Sequence, residues 1–178
     1  CTFCSGKGSG DSILSFFDSL ETQYELGLER MQRKWPGCLG FAYFQSYSNT
    51  YADLKTIQKI YDPFYARDDV LGVCIATRPD CLNPEIINYF SEKAKEKETW
   101  IELGLQSAHD KTMERLNRLH TTQELWDALE QLKDTPILTC VHIINGLPGE
   151  TKEDMIDTVR QLGKHPFDAI KIHMLHII

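Results

Sequence analysis

Two cysteines at the start of the chain, Cys1 and Cys4, stand at the spacing of a metal-binding pair. Thiolates are the ligands that zinc and iron–sulfur clusters prefer, so this pair is a candidate metal site. The same spacing also suits half of a zinc site, a redox pair or two unrelated cysteines. The pair alone therefore leaves the kind of site open.

Polar side chains recur at fixed positions in apolar runs that have the character of strands. In residues 101–106, Glu102 and Gln106 alternate with leucines, and two-residue periodicity places them on one face of a strand. The same periodicity puts Lys171 and His173 together on the last strand. We expect these side chains, near the carboxyl ends of successive strands, to share one surface. The candidates are Gln45, Glu102, Gln106, His142, Lys171 and His173.

Strands and helices alternate along the chain with a period of roughly 30 residues, which predicts βαβ units and a parallel sheet. A break near His120 is expected in the fourth helix. Thr151 and Asp154 resemble a capping box at the start of the last helix. The predicted strands are 38–44, 70–76, 99–106, 137–144 and 169–177, and the predicted helices are 12–34, 53–66, 83–97, 109–133 and 151–164.

The polarity of the strands favours a barrel over an open, doubly wound sheet. In an open sheet helices cover both faces, and each buried polar side chain needs its own partner. In a parallel barrel the inward faces converge at the mouth, where active sites lie. The predicted fold class is therefore α/β, a partial parallel barrel of the TIM type. The chain reaches its first predicted helix without a preceding strand, so we expect the first strand to be missing.

Composition excludes several classes of protein. The chain has 178 residues and a net charge of −7, which argues against a general nucleic-acid coat. No apolar run reaches the roughly 18 residues of a membrane span, and no signal peptide is visible. We expect a cytoplasmic protein with reduced cysteines. Both ends look cut, so we expect one domain from a longer parent protein.

Four motifs in this order resemble the radical S-adenosylmethionine (radical SAM) superfamily. They are Cys-Thr-Phe-Cys at 1–4, Thr-Arg-Pro-Asp at 77–80, Glu-Leu-Gly-Leu-Gln-Ser at 102–107 and Gly-Leu-Pro-Gly-Glu-Thr at 146–151. The chain is most similar to the Elp3-like bacterial Fe–S oxidoreductases of that superfamily. The similarity runs through essentially the whole chain, to His176.

The resemblance implies a partial (βα)6 barrel that carries a [4Fe–4S] cluster and binds SAM. Cys1 and Cys4 match the last two cluster cysteines, and the first would lie upstream of Cys1. Reductive cleavage of SAM gives a 5′-deoxyadenosyl radical that abstracts a substrate hydrogen. The chain would then be a single radical SAM core domain, with a cluster loop at 1–11 and βα repeats over 12–178.

The resemblance also assigns residues to SAM. Gln106 and Arg118 match a glutamine and an arginine that contact SAM in related enzymes, although Arg118 also suits a solvated helix end. His142 falls where relatives often place an aspartate facing the adenosine, and a satisfied core histidine is the alternative. Gly146 and Gly149 fit a turn that lets backbone approach the adenine, or a plain strand-to-helix turn.

Two positions depart from the family pattern. Relatives usually carry a SAM-holding glutamate where this chain has Ala76, and Glu102 from a different strand is the candidate replacement. Relatives place a Gly-Gly segment where this chain has Gln45, so Gln45 or backbone carbonyls would take over. Lys171 and His173 are candidates for binding SAM or substrate, while a Lys171–Glu102 ion pair of purely structural value is the alternative.

The function implied is that of a radical SAM enzyme acting with an electron donor such as flavodoxin or ferredoxin. Elp3-like relatives suggest tRNA as a partner and a wobble uridine as the substrate. Two alternatives stay open at this stage. One is a non-catalytic zinc- or iron-binding module based on Cys1 and Cys4, and the other is an RNA-binding adaptor on a barrel scaffold.

Overall fold

The structure, a computed structural model, describes Thr2 and residues 18–175. Five strands form one all-parallel sheet in the order β1-β2-β3-β4-β5. The strands are β1 (Gly40–Phe44), β2 (Val70–Thr77), β3 (Glu98–Gln106), β4 (Leu138–Asn145) and β5 (Ala169–Met174), and the helices are α1 (Leu20–Lys34), α2 (Leu54–Tyr65), α3 (Pro84–Ala94), α4 (Asp110–Arg115), α5 (Thr122–Leu132) and α6 (Lys152–Leu162).

Short polar side chains cap the helix starts. Asp53 and Asn83 accept the backbone N–H groups of Thr56 and Ile86, which otherwise lack a partner in the first helical turn. The predicted capping box at Thr151 is confirmed, because its hydroxyl and the Asp154 carboxylate satisfy each other's backbone N–H groups. These local signals fix where the helices that follow β1, β2 and β4 begin.

The main core lies between the outer face of the sheet and the helices. In β2, β3 and β4, alternate residues point outward and are buried, as two-residue periodicity requires. Aromatic rings of α2 and α3 meet edge to face, with Tyr61 and Phe90 at a centroid distance of 5.2 Å. The buried strand residues include Ile75, Ile101, Leu103, Val141 and Ile143, and their helical partners include Ile57, Phe64, Leu125 and Leu129.

The sheet is curled, and one contact across its inner face demonstrates this. β1 and β5 are the two edges of the five-stranded sheet. In a flat sheet four inter-strand spacings would separate them by about 19 Å. Instead, Lys171 Nζ on β5 lies 3.0 Å from Tyr43 Oη on β1. The prediction of a partial TIM-type barrel is therefore confirmed over the described residues, in which no strand precedes β1.

The start of the first helix differs from the sequence prediction, whereas the predicted break in the fourth helix is confirmed. α1 begins at Leu20 with Ser19 as its N-cap, because the Ser19 hydroxyl accepts the N–H of Thr22; positions 12–17 of the predicted helix lie outside the described residues. The predicted break near His120 is real and separates α4 from α5. Among the described residues, no helix combines the length and apolar character that a bilayer crossing needs.

Two glycines give a matched test of this packing. An added Cβ at Gly72 in β2 would overlap the Phe41 ring and the Glu98 carbonyl, whereas at Gly27 in α1 it meets nothing within 4 Å. We expect Gly72→Ala to lower the free energy of unfolding by about 1–3 kcal/mol. Gly27→Ala should raise it by about 0.5–1 kcal/mol, because alanine favours the helix. Urea denaturation of both variants measures this, and equal effects would contradict the packing described.

Candidate cofactor and substrate site

Glu102 on β3 is the centre of a hydrogen-bonded cluster on the inner face of the sheet. Its Oε2 accepts the Tyr43 hydroxyl at 2.7 Å and His142 Nε2 at 2.9 Å. Lys171 Nζ donates to both carboxylate oxygens at 2.8 Å. We call these four residues the Glu102 cluster. It joins β1, β3, β4 and β5 through a single carboxylate.

The strand register explains why these side chains meet. Gly104 pairs with His142 and His142 with Lys171, so the three residues share the inward face across three strands. Glu102 pairs with Ala76 on β2. Position 76 has only a methyl group, so the Glu102 carboxylate lies beside the place where the resemblance predicts a glutamate. The ion pair with Lys171, one alternative raised from the sequence, is present.

The electrostatics of the cluster favour a charged pair at neutral pH. Burial alone would raise the pKa of Glu102, but hydrogen bonds from His142, Lys171 and Tyr43 outweigh it and lower that pKa to about 2. Burial also tends to lower the pKa of Lys171, yet its bonds to Glu102 and Tyr43 raise it overall. Burial raises the pKa of Tyr43 to about 12, so the phenol stays protonated.

Two members of the Glu102 cluster, together with Cys140, have the geometry of a possible metal site. Glu102, Cys140 and His142 each offer one ligand atom, and these atoms lie within 4.8 Å of one another. However, Lys171 already bonds to both oxygens of the carboxylate. Burial, with the Glu102 charge nearby, raises the pKa of the Cys140 thiol to about 11. A cation would have to displace the ammonium, so this group is an ion-paired cluster.

Two imidazoles extend the cluster along β4 and β5. The rings of His142 and His173 lie with centroids 5.2 Å apart at an angle of 43°. Burial and the neighbouring His142 lower the pKa of His173. Because His142 Nε2 bonds to Glu102, Nδ1 is the ring nitrogen through which His142 can meet a ligand. The inner face thus presents two imidazoles beside the Glu102–Lys171 ion pair.

A second polar group lies at the carboxyl end of the same strand, β3. Arg118 Nη2 donates to the Gly104 carbonyl at 2.7 Å. A Cβ on Gly104 would overlap Arg118 Nη2 and lie 2.7 Å from Gln106 Nε2. Gln106 itself has a left-handed φ of 74° next to a bulge in the β3–β4 pairing. We call Gly104, Gln106 and Arg118 the Gly104 cradle.

The cradle fits the amino-acid end of SAM. A guanidinium matches a carboxylate in a bidentate geometry, and the amide of Gln106 offers both a donor and an acceptor. Gln106 and Arg118 are only 9% and 8% exposed, so both side chains are largely shielded from solvent. The absence of a side chain at Gly104 leaves room for both. The structure thus brings together two residues that the resemblance assigned to SAM.

One backbone contact joins Thr2 to the segment of the chain that leads to Arg118. The N–H of Thr2 donates to the carbonyl of Leu116 at 3.0 Å. Thr2 is covalently bonded to Cys1, and Leu116 precedes Arg118 by two residues. Cys1 and Cys4 themselves lie outside the described residues, so their assignment as metal ligands stays a prediction. The contact nevertheless joins a residue of the first motif to the segment that precedes Arg118.

The predicted glycine turn lies after β4. Gly146 and Gly149 have left-handed φ values of 85° and 84°, which glycine adopts without strain. Nothing lies within 4 Å of a Cβ added to Gly146, whereas at Gly149 it would overlap the Arg115 guanidinium. Arg115 Nη1 donates to the Pro148 carbonyl at 2.8 Å and so holds the turn against α4. Open space at Gly146 is compatible with an approaching ligand.

The structure does not bring Gln45 to either cluster. Gln45 follows β1 as an exposed residue, and it takes no part in the hydrogen bonds described above for the Glu102 cluster and the Gly104 cradle. Instead, Asn49 fastens this loop, because its Nδ2 donates to the carbonyls of Phe44 and Ala76 at 3.1 and 2.8 Å. The proposed contact of Gln45 with SAM stays a prediction.

Sequence reasoning missed Tyr43. The aromatic run that contains it suggests packing in the core, and Phe44 does pack against Tyr61 at a centroid distance of 4.7 Å. Tyr43 instead points inward and is 41% exposed. The available signal was its spacing from Gln45, since residues two apart share a strand face. The partner, Glu102, is 59 residues away and invisible to local patterns.

Comparison with known proteins identifies the family. A model of the radical SAM superfamily matches residues 1–162, and the chain belongs to that superfamily. Over its whole length the chain is 39% identical to YtqA of Bacillus subtilis and 33% identical to YhcC of Escherichia coli. It covers 55% and 57% of those proteins, little more than half of each. Members of the superfamily use a [4Fe–4S] cluster and SAM.

More distant matches agree with this placement. Over 130 residues, 71% of this chain and 23% of the relative, it is 28% identical to the tRNA uridine(34) acetyltransferase of Methanocaldococcus jannaschii. The solved structure of Methanocaldococcus infernus Elp3 matches with a TM-score of 0.73 at 17% identity, over 87% of this chain and 41% of that one. HemN of Escherichia coli matches with 0.70 at 16%, over 100% and 42%. These structures confirm the fold.

The Glu102 cluster predicts a specific dependence of stability on pH. The pKa of Glu102 falls from 4.5 to about 2 on folding, so its contribution is full above pH 4.5 and is lost as pH falls towards 2. We expect Glu102→Gln to lower the free energy of unfolding by about 2–3 kcal/mol at pH 7 and by less at pH 3.

The matched control for this variant is Glu130→Gln. Glu130 pairs with Lys133 on an exposed surface at 2.6 Å, where an ion pair contributes little. Urea denaturation of wild type and both variants at the two pH values gives the comparison. A Glu102→Gln effect that is equally large at pH 3 and pH 7 would contradict the charged cluster.

Proposed function

We propose that this chain is the cofactor-binding domain of a radical SAM enzyme that starts catalysis by hydrogen abstraction. The observation that carries the proposal is the contact between Thr2 and Leu116, at 3.0 Å. Thr2 follows Cys1 in the sequence, and Leu116 precedes Arg118 of the Gly104 cradle by two residues, which supports a cysteine loop close to the cradle. A radical SAM enzyme needs the loop that holds its iron–sulfur cluster and the residues that bind the SAM carboxylate at the same end of the barrel.

Each group then has a defined task. Cys1 and Cys4 would hold two irons of the cluster, and Arg118 and Gln106 would take the carboxylate and amino group of SAM. When bound, the cluster and SAM supply the 5′-deoxyadenosyl radical. His142 and His173 would meet the nucleoside or the substrate through ring nitrogens.

Two further residue sets complete the site. The Glu102–Lys171 pair would hold the inner face rigid without adding net charge to it. Gly146, with open space at its Cα, would let the backbone approach the adenine, and Gly149 would keep the turn fixed against Arg115. Gln45 would reach SAM only through movement of the loop after β1.

For the substrate class we propose a modified or unmodified wobble uridine of tRNA. The supporting observation is the similarity to an archaeal tRNA uridine(34) acetyltransferase over 71% of this chain. The reaction also needs a one-electron donor, and we propose a flavodoxin or a ferredoxin. A cytoplasmic location suits the free thiols of Cys38, Cys74, Cys81 and Cys140.

The direct test of catalysis is SAM cleavage by the full-length protein. After anaerobic reconstitution with iron and sulfide and reduction with dithionite, we expect 5′-deoxyadenosine to form. Cys1→Ala and Cys4→Ala should each abolish the product, because a cluster iron loses its ligand. Cys38→Ala is the matched control and should retain activity. Stoichiometric zinc with no reconstituted cluster would instead support the non-catalytic metal module.

The substrate proposal has its own assay. Total tRNA incubated with the reduced enzyme and SAM, digested to nucleosides and analysed by mass spectrometry, should show a changed wobble uridine. Tight, salt-dependent tRNA binding without SAM cleavage would favour the adaptor reading. SAM cleavage with no change in any tRNA nucleoside would redirect the search to other substrates.

The Gly104 cradle predicts a loss of SAM affinity on adding one methyl group. In Gly104→Ala the new Cβ displaces Arg118 and Gln106, so the dissociation constant for S-adenosylhomocysteine should rise at least about tenfold. Gly163→Ala is the matched control, since its Cβ makes ordinary contacts at 3.4 Å and beyond. Calorimetric titration measures both. Unchanged affinity in Gly104→Ala would contradict the assignment of the cradle to SAM.

A further inference from the structure

The connection between α4 and α5 has an unusual backbone that turns alternate side chains inward. Asn117 and Leu119 have left-handed φ values of 53° and 63°. Leu119 is 72% exposed, whereas Arg118 and His120 on either side of it are 8% and 5% exposed. A leucine with a left-handed backbone φ and an exposed side chain lowers the stability of the folded state. The conformation therefore serves to bury the arginine and the histidine together.

His120 lacks hydrogen-bond partners in this buried position. Both ring nitrogens, Nδ1 and Nε2, are buried, and neither has a partner among the described residues. Buried polar groups are almost always hydrogen-bonded, to protein or to ordered water, because an unmade bond is costly. An apolar side chain of similar shape would avoid that cost. The polarity of the ring therefore requires an explanation beyond packing.

Charged groups surround the ring on several sides. Burial, followed by the charge of Arg118, lowers the pKa of His120 to about 4. Asp80 and Arg78, which form an ion pair after β2, and Glu124 of the α5 capping box also act on it. At neutral pH the ring is neutral and offers one donor and one acceptor. An acceptor beside a buried guanidinium is chemically matched to it.

We propose that His120 is a positioning residue for Arg118, holding the guanidinium against Gly104 through a hydrogen bond relayed by one buried water. The inference rests on the proposed function, because Arg118 is the residue that would take the SAM carboxylate. It explains three features together: the paired left-handed residues, the burial of an unpartnered imidazole, and the fixed bond from Arg118 to the Gly104 carbonyl. Arg118 needs such support because its side chain is long and flexible.

The test uses substitutions that separate positioning from packing. His120→Phe keeps the ring shape but removes both nitrogens. His120→Asn and His120→Gln keep a donor and an acceptor near Nδ1 or Nε2. In the full-length protein with its cluster reconstituted, we measure the melting temperature and the dissociation constant for S-adenosylhomocysteine. Leu119→Ala, at the exposed neighbour, is the matched control.

We expect His120→Phe to weaken S-adenosylhomocysteine binding about tenfold while leaving the melting temperature unchanged or higher. At least one amide variant should restore affinity to within about threefold of wild type. His120→Phe with wild-type affinity overturns the inference. A loss of affinity that follows only a loss of thermal stability, without rescue by either amide, also overturns it, since His120 would then be structural.

A second measurement does not depend on SAM. In ligand-free protein, the ¹⁵N NMR signal of the Arg118 Nε–H group should shift or broaden in His120→Phe, while that of Arg115 stays unchanged. An unchanged Arg118 signal overturns the inference whatever the ligand data show. If wild type itself binds no S-adenosylhomocysteine, the proposed function fails, and the NMR comparison still decides whether His120 positions Arg118.

Discussion

The fold depends on one carboxylate that holds the inner face of a curled sheet together. Glu102, near the middle of the sheet, accepts hydrogen bonds from β1, β4 and β5, and Tyr43 and Lys171 meet at 3.0 Å across the two edges. Helices bury only the outer face. A polar inner face is stable because each group has a charged or hydrogen-bonded partner. In an open sheet, helices would cover the inner face as well and form a second core there. Here the inner face carries polar side chains instead.

The same strand that carries Glu102 also organises the ligand end of the barrel. Along β3, Glu102 lies two residues from Gly104 and four from Gln106, so the ion-paired carboxylate lies close to the residues proposed to bind SAM. Gly104 has no side chain, which admits Arg118 from the α4–α5 connection. That connection also receives the backbone of Thr2 at Leu116. The curvature of the sheet, the Gly104 cradle and the backbone of Thr2 are thus linked through a few neighbouring contacts.

Much of the fold and part of the site follow from the sequence. Periodicity placed Glu102, His142 and Lys171 inward, and a break near His120 was visible from composition. The bonds of Tyr43 were not predictable, because they join residues 59 and 128 positions apart. The buried, unpartnered state of His120 was equally hidden, since it depends on left-handed backbone at Asn117 and Leu119. The start of α1 at Leu20 was not predicted, because apolar periodicity alone does not show that the Ser19 hydroxyl caps the helix.

The most direct measurement is a crystal structure of the full-length protein, reconstituted anaerobically and soaked with SAM. The account predicts SAM in contact with Arg118 and Gln106, the cluster ligated by Cys1 and Cys4, and Glu102 still bonded to Tyr43, His142 and Lys171. SAM bound away from the Gly104 cradle, with a carboxylate held by other residues, would contradict it. So would a structure in which Lys171 leaves Glu102 to coordinate the ligand, because the interior would then not be the rigid support described.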